Sequence, residues 1–308
     1  MENVAFVFPG QGSQAVGMLA ELAQNHVIIG QTFAQASDAL GYDLWDLVAN
    51  GPAETLNETD KTQPALLTAS VAIWRAYQAS NKPMPSLLAG HSLGEYSALV
   101  CGGVIEFTDA VKLVELRGKL MQQAVPAGSG AMYAIIGLDD DAIAKVCAES
   151  AEGGVVSPVN YNSPGQVVIA GEKAAVERAA AACKAAGAKM TVALPVSVPS
   201  HCALMKPAAD ELAKALMEVT FSEPIINVVN NVDVAMPTNA QAIKDALVRQ
   251  LYCPVRWRES VEFMATQGVT KLIECGPGKV LTGLTKRINK SISAQAVNDV
   301  ASFAALVE

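Results

Sequence analysis

Residues 86–94 constrain the fold of this 308-residue chain more than any other stretch. Ser86-Leu-Leu-Ala-Gly90 is a short apolar run, and a helical pattern follows Gly90-His91-Ser92-Leu93-Gly94. The match is to G-x-S-x-G in a strand–turn–helix context. A turn this sharp leaves no room for side chains beside the serine, so its hydroxyl is presented at the strand's carboxyl end. The free N–H groups and positive dipole end of the following helix are suited to a developing oxyanion. The same five residues also fit a glycine-rich turn holding an incidental serine.

The surrounding pattern is α/β. Residues 3–8 form an apolar run ending at Pro9-Gly10, as a buried parallel strand does. Helical patterns then dominate to Ser80, with Pro64 read in the first turn of a helix starting near Thr62. Thr108 is expected to cap a helix reaching about Ala124. Residues 126–198 change character. They read as strand 131–138, helix 139–150, strands 155–161 and 166–171 joined by an Asn162-Ser-Pro-Gly165 turn, helix 173–186 and strand 189–196. That βαββαβ order is the ferredoxin-like pattern. The expected fold is therefore a large parallel-sheet α/β domain, residues 1–125 and 199–308, with a ferredoxin-like subdomain, residues 126–198, inserted in it. In the returning segment a helix from about Pro207, a strand at 225–230, a helix at 239–250 and a strand at 270–275 are expected.

Composition excludes several functions. Half the residues (51%) are hydrophobic and 17% are charged, as in a packed globular protein. A net charge of −8 argues against a nucleic-acid binder held by phosphate contacts. The six cysteines lack Cys-x-x-Cys spacing, and with three histidines they give no metal-finger pattern. The amino terminus lacks a basic signal region, and no apolar run reaches membrane-spanning length. The expectation is a soluble cytoplasmic protein, with no metal site and no membrane partner.

A serine nucleophile needs a base, and His26, His91 and His201 are the candidates. His26 has nothing suggestive around it. His91 adjoins Ser92, but neighbours at a tight turn point apart; it could still line the pocket. His201 follows a strand where the chain leaves the small subdomain, at an expected cleft, and is the base by elimination. No third-member carboxylate is visible. Glu95, Glu106, Asp109 and Glu115 fall on helix faces or in first turns, so a carbonyl or amide could orient His201 instead. A helical stripe at 110, 113, 114, 117, 120, 121 and 124 is apolar except for Arg117. A guanidinium there is either one half of a structural ion pair or a fork for a substrate carboxylate.

The chain resembles malonyl-CoA:acyl-carrier-protein transacylases along its whole length. The resemblance rests on Phe8-Pro-Gly-Gln-Gly-Ser-Gln14, Gln63-Pro-Ala65, Gly90-His-Ser-Leu-Gly-Glu-Tyr96, Arg117-Gly118, Asn160-Tyr-Asn-Ser-Pro-Gly-Gln166, Pro195-Val-Ser-Val-Pro-Ser-His201 and Glu274-Cys-Gly-Pro-Gly278. Cys275 departs from the valine or isoleucine of many relatives, a small semi-apolar exchange. The resemblance implies Ser92 as nucleophile, His201 as base, and the Gln250 backbone carbonyl as its orienting group. It further implies Gln11 and the Leu93 N–H as the oxyanion hole, and Arg117 as the holder of the malonyl carboxylate. It implies transfer from malonyl-CoA to the phosphopantetheine thiol of acyl carrier protein, in fatty-acid biosynthesis, by a monomer without cofactor. Lys286, Arg287 and Lys290, taken to share one helix, are candidates for docking the acidic carrier, and equally fit a solvated basic face. An esterase or thioesterase, and a non-enzymatic acyl-CoA- or carrier-binding protein, are the competing readings. Arg117 argues against the first and the Ser92–His201 pair against the second.

Overall fold

A computed structural model describes residues 3–196 and 198–307. Among the described residues nine strands form two sheets. They are β1 (Val4–Phe8), β2 (Leu87–Gly90), β3 (Gly130–Ile136), β4 (Val156–Ser163), β5 (Gln166–Glu172), β6 (Met190–Ala193), β7 (Val228–Val229), β8 (Lys271–Cys275) and β9 (Ser293–Val297). The large sheet is parallel, in the order β7-β2-β1-β8-β9. The chain adds strands outward from β1 on one side, then on the other, which is doubly wound topology. Such sheets gather functional groups at the carboxyl ends of their strands. Here those ends deliver Gln11 after β1, Ser92 after β2 and Asn231 after β7.

The second sheet is antiparallel, in the order β4-β5-β3-β6, with helices Asp140–Ser150 and Lys173–Ala185 in the βαββαβ positions. Their apolar faces enclose Ile135, Ile143, Val167, Ile169, Val176 and Cys183 on one side of the sheet. The other side carries Met132, Val159 and Val168, and packs on Cys202 and Leu204 where the chain re-enters the larger body.

Several local expectations are corrected. The helix holding Pro64 runs Thr59–Ala79, so the proline lies a full turn inside rather than in the first turn. It takes an N–H away from the Asp60 carbonyl. The next long helix, Phe107–Gln123, starts after an extended Glu106, and Thr108 is not its cap. The β4–β5 turn is only Pro164-Gly165, so Asn162 and Ser163 belong to the strand. The strand expected at 225–230 shortens to two residues, and β6 ends at Ala193. The helices Trp257–Thr266 and Val300–Val307 and strand β9 were not foreseen.

Helices Thr59–Ala79 and Phe107–Gln123 cross closely because Gly118 has no side chain. A Cβ there would lie 2.5 Å from the Asp60 Cα. That approach lets Arg117 reach Gln63 on the neighbouring helix. All six cysteines are free thiols. Among the described residues no helix is long and apolar enough to cross a membrane, and no cluster of His, Cys, Asp and Glu could hold a metal.

Candidate active site

The turn after β2 is forced by crowding. A Cβ on Gly90 would lie 1.9 Å from the Gly94 carbonyl carbon, and one on Gly94 would lie 2.1 Å from the Phe8 carbonyl oxygen. Ser92 then takes φ 53° and ψ −110°, a conformation costly for a residue with a side chain. Three hydrogen bonds hold it there. Its N–H donates to Asn231 Oδ1 (2.7 Å), Asn231 Nδ2 donates to the Gly90 carbonyl (2.7 Å), and Gln250 Nε2 donates to the Ser92 carbonyl (3.1 Å). Leu93 opens helix Leu93–Cys101, and first-turn N–H groups have no partner within a helix.

His201 is 3% exposed and also has a positive φ, 64°. Its Nδ1 lies 2.6 Å from the Gln250 carbonyl, and its Nε2 lies 2.8 Å from Ser92 Oγ. A carbonyl can only accept, so the proton sits on Nδ1 and the Nε2 lone pair faces the serine hydroxyl. Burial, and then the Arg117 charge, hold the His201 pKa down to about 3, against the pull of the Gln250 carbonyl. The ring is neutral at physiological pH. The missing triad carboxylate is thus replaced, geometrically, by a backbone carbonyl.

Arg117 is 1% exposed. Its Nη1 donates to Gln63 Oε1 (2.7 Å), and its Nη2 donates to Gln250 Oε1 (2.9 Å) and to Ser92 Oγ (3.3 Å). All three acceptors are uncharged. The Tyr96 ring lies 5.3 Å from the guanidinium. Among the described residues, no carboxylate pairs directly with Arg117, which leaves the structural ion pair without support.

One cavity of about 100 Å³ joins these groups. Gln11, His91, Ser92, Leu93, Arg117 and His201 line it, with Met132, Asn160, Leu194 and Val196 from the antiparallel sheet and its exit. At ~30 Å³ per water it suits a short acyl group. It is therefore a cleft between the two sheets, as the place of His201 in the sequence suggested. His91 Nε2 lies 2.8 Å from Asn162 Oδ1 and the ring lies beside Trp257, so it points away from base duty and ties the turn to β4. Burial lowers its pKa, against the hydrogen bond with Asn162. His26 is not in the cavity; it packs on Phe303. Gln11 is exposed at the mouth, with Nε2 3.4 Å from Thr59 Oγ1.

Sequence reasoning missed Asn231 and the side chain of Gln250, which bind the turn from the far side of the chain, and the inward aim of Glu95. Two asparagines at the carboxyl end of a parallel strand were the available signal. Of the proposed docking residues, Lys286 and Arg287 lie in helix Val280–Ile288, whereas Lys290 falls beyond its end. Arg287 donates to Gln166 Oε1 at the start of β5 (2.7 Å).

Residues 5–306 match the acyl transferase domain family. The chain is 70% identical over 305 residues to a malonyl CoA-acyl carrier protein transacylase of Salmonella typhimurium, covering 99% of each chain. It superposes on an acyl carrier protein S-malonyltransferase from Vibrio cholerae with a TM-score of 0.97, at 70% identity and 99% coverage of both. A malonyl-transacylase solved in complex with a holo type II PKS acyl-carrier protein gives a TM-score of 0.98, at 66% identity and 99% coverage of both.

Proposed function

The chain belongs to the acyl transferase family, and on that premise we propose that it moves a malonyl group from malonyl-CoA to the phosphopantetheine thiol of acyl carrier protein in fatty-acid biosynthesis. The observation that carries the proposal is a Ser92–His201 pair beside a buried arginine whose hydrogen bonds all go to uncharged oxygens. Hydrolase chemistry needs the pair alone. The arginine adds recognition of a donor with a free carboxylate.

The distances among Ser92, His201, Gln250 and Arg117 support the following steps. The malonyl carboxylate pairs with Arg117, which places the thioester carbon at Ser92 Oγ. Oγ attacks as its proton passes to His201 Nε2. The carbonyl oxygen becomes an oxyanion facing the Leu93 N–H and the Gln11 amide, which stabilise it. The C–S bond breaks, and the coenzyme A sulfur takes the proton from Nε2. In the second half the carrier thiol gives its proton to Nε2 and its sulfur attacks the malonyl ester. Ser92 Oγ leaves and recovers the proton. No atom changes oxidation state, so the proposal contains no redox cofactor. Pairing Arg117 with the donor also offsets the Arg117 charge, which after burial is the second cause of the low His201 pKa.

The test is a transfer assay with holo carrier protein and either malonyl-CoA or acetyl-CoA. We expect malonyl-carrier to form at least about 10²-fold faster than acetyl-carrier, the size of one buried charge-assisted contact. Equal rates would refute the proposal. Free malonate in place of malonyl-carrier would make the protein a hydrolase.

The proposal extends to the docking of the carrier, by a monomer in the cytoplasm. Lys286 and Arg287 are exposed on a helix joined to the antiparallel sheet through Gln166. The double variant Lys286→Glu, Arg287→Glu should raise the carrier KM about tenfold and leave the malonyl-CoA KM unchanged. An unchanged carrier KM would rule this surface out.

A further inference from the structure

Arg117 is buried without a directly paired carboxylate among the described residues, yet a carboxyl group stands one residue behind it. The Gln250 side chain bridges the two. Its Oε1 accepts from Arg117 Nη2 (2.9 Å), and its Nε2 donates to Glu95 Oε2 (2.8 Å). The same carboxylate oxygen accepts from the Asn231 N–H (3.0 Å). Glu95 is 2% exposed and sits three residues after the nucleophile, on the face of helix Leu93–Cys101 turned towards Gln250 and Asn231. It does not line the cavity that Arg117 faces. It cannot touch the substrate, and it cannot act as a triad acid, because His201 Nδ1 is occupied by the Gln250 carbonyl.

We propose that Glu95 is a positioning residue for the donor's carboxylate: a counter-charge held one amide away from Arg117, which fixes the guanidinium without covering it and whose charge sets how strongly Arg117 attracts an anion. Paired directly, Glu95 would fill the fork that the donor needs. Placed one amide away, it orders the fork through Gln250 and leaves the cavity side open. The inference rests on the reading of Arg117 as the malonyl carboxylate's partner.

The arrangement puts two anionic groups on opposite sides of one cation once the donor binds. They repel across Arg117, so each is favoured when the other is neutral, and the coupling is reciprocal. Burial pushes the Glu95 carboxyl from its ordinary 4.5 up to about 7, against the hydrogen bonds from Gln250 and Asn231 and the attraction of Arg117. The charged and titratable groups around it are Arg117 on helix Phe107–Gln123, Asp233 after β7, itself paired with Arg249 (2.7 Å), and Tyr96 on its own helix. The sign follows. Below pH ~7 Glu95 is neutral and Arg117 attracts the donor at full strength. As pH rises through ~7 Glu95 ionises and the donor binds less tightly. Conversely, a bound malonyl group raises the Glu95 pKa further, so binding draws in a proton.

Glu95→Gln tests this, because an amide oxygen can still accept from both Gln250 Nε2 and the Asn231 N–H while carrying no charge. The malonyl-CoA KM of the parent should rise about fivefold between about pH 6 and about pH 9. In Glu95→Gln it should stay flat, near the parent's low-pH value. A KM that rises with pH as steeply in the variant as in the parent would overturn the proposal. So would a variant KM raised equally at every pH, the mark of a merely structural residue. A second measurement does not depend on the variant folding. Calorimetric binding to the non-reacting Ser92→Ala protein near pH 7, in buffers of different ionisation enthalpy, should show net proton uptake with malonyl-CoA. None should appear with acetyl-CoA, which carries the same coenzyme phosphates. Absence of the malonyl-specific uptake would also overturn it. If Arg117→Ala does not weaken malonyl-CoA at all, the underlying reading of Arg117 fails; if Arg117 matters and the Glu95 signatures are missing, only this inference fails.

Discussion

Replacing Ser92 by alanine is expected to lower malonyl transfer to the carrier by at least about 10⁴-fold and to change malonyl-CoA affinity by less than about threefold. The asymmetry follows from where Ser92 Oγ stands. It is 2.8 Å from the His201 lone pair, and its single contact with Arg117 is the longest of that residue's three hydrogen bonds. Losing the oxygen removes the covalent step while Gln63 and Gln250 still hold the guanidinium in place. The turn should survive, because its backbone is held by Asn231 and Gln250 rather than by the serine side chain. Steady-state transfer and equilibrium binding of malonyl-CoA, measured side by side, check both halves. A variant that transfers within tenfold of the parent would move the nucleophile elsewhere.

The second large effect is at Arg117. Arg117→Ala should lower kcat/KM for malonyl-CoA by about 10²- to 10³-fold, ~3–4 kcal/mol, within the range associated with removing one member of a buried charged pair. The acetyl-CoA rate should hold or rise, because an alanine leaves room and removes the charge that, after burial, lowers the His201 pKa. The ratio of malonyl to acetyl transfer is therefore the sharper readout than either rate. The variant should also melt earlier, since the Gln63 and Gln250 amide oxygens lose their donor and the Glu95 carboxyl loses its nearby cation. Arg117→Lys keeps the charge and loses the fork, and should fall between the parent and alanine. Equal losses for both donors would mean that Arg117 maintains the site rather than reading the carboxylate.

The parts legible in the sequence share a physical character. A strand–Gly-x-Ser-x-Gly–helix run states its own geometry, because Gly90 and Gly94 admit no side chain at the crossing. Arg117 stood out because a helical stripe makes one charged residue conspicuous. The βαββαβ order of the smaller sheet could be read from alternating periods alone. What was not legible depends on distant chain segments meeting. Gln250 was named for its backbone carbonyl, yet its side chain also ties Arg117, Glu95 and Ser92 together across more than 130 residues of sequence. Glu95 was read as one of several acids on helix faces, and the face it occupies is interior. Pro64 reads as a helix-start marker in the sequence, whereas Thr59–Ala79 begins a turn earlier because tertiary packing buries nearly all of it. Strand β9, Ser293–Val297, has two alanines and no apolar run, so its place beside β8 is set by pairing rather than by local pattern.

The most direct measurement of the central claim is the intact mass of the protein mixed with malonyl-CoA, before and after holo carrier protein is added. The expected result is one malonyl adduct, absent from Ser92→Ala, which disappears from the enzyme as it appears on the carrier. Full-rate transfer to the carrier with no adduct on the parent, or an adduct that persists in Ser92→Ala, would contradict a malonyl-serine intermediate.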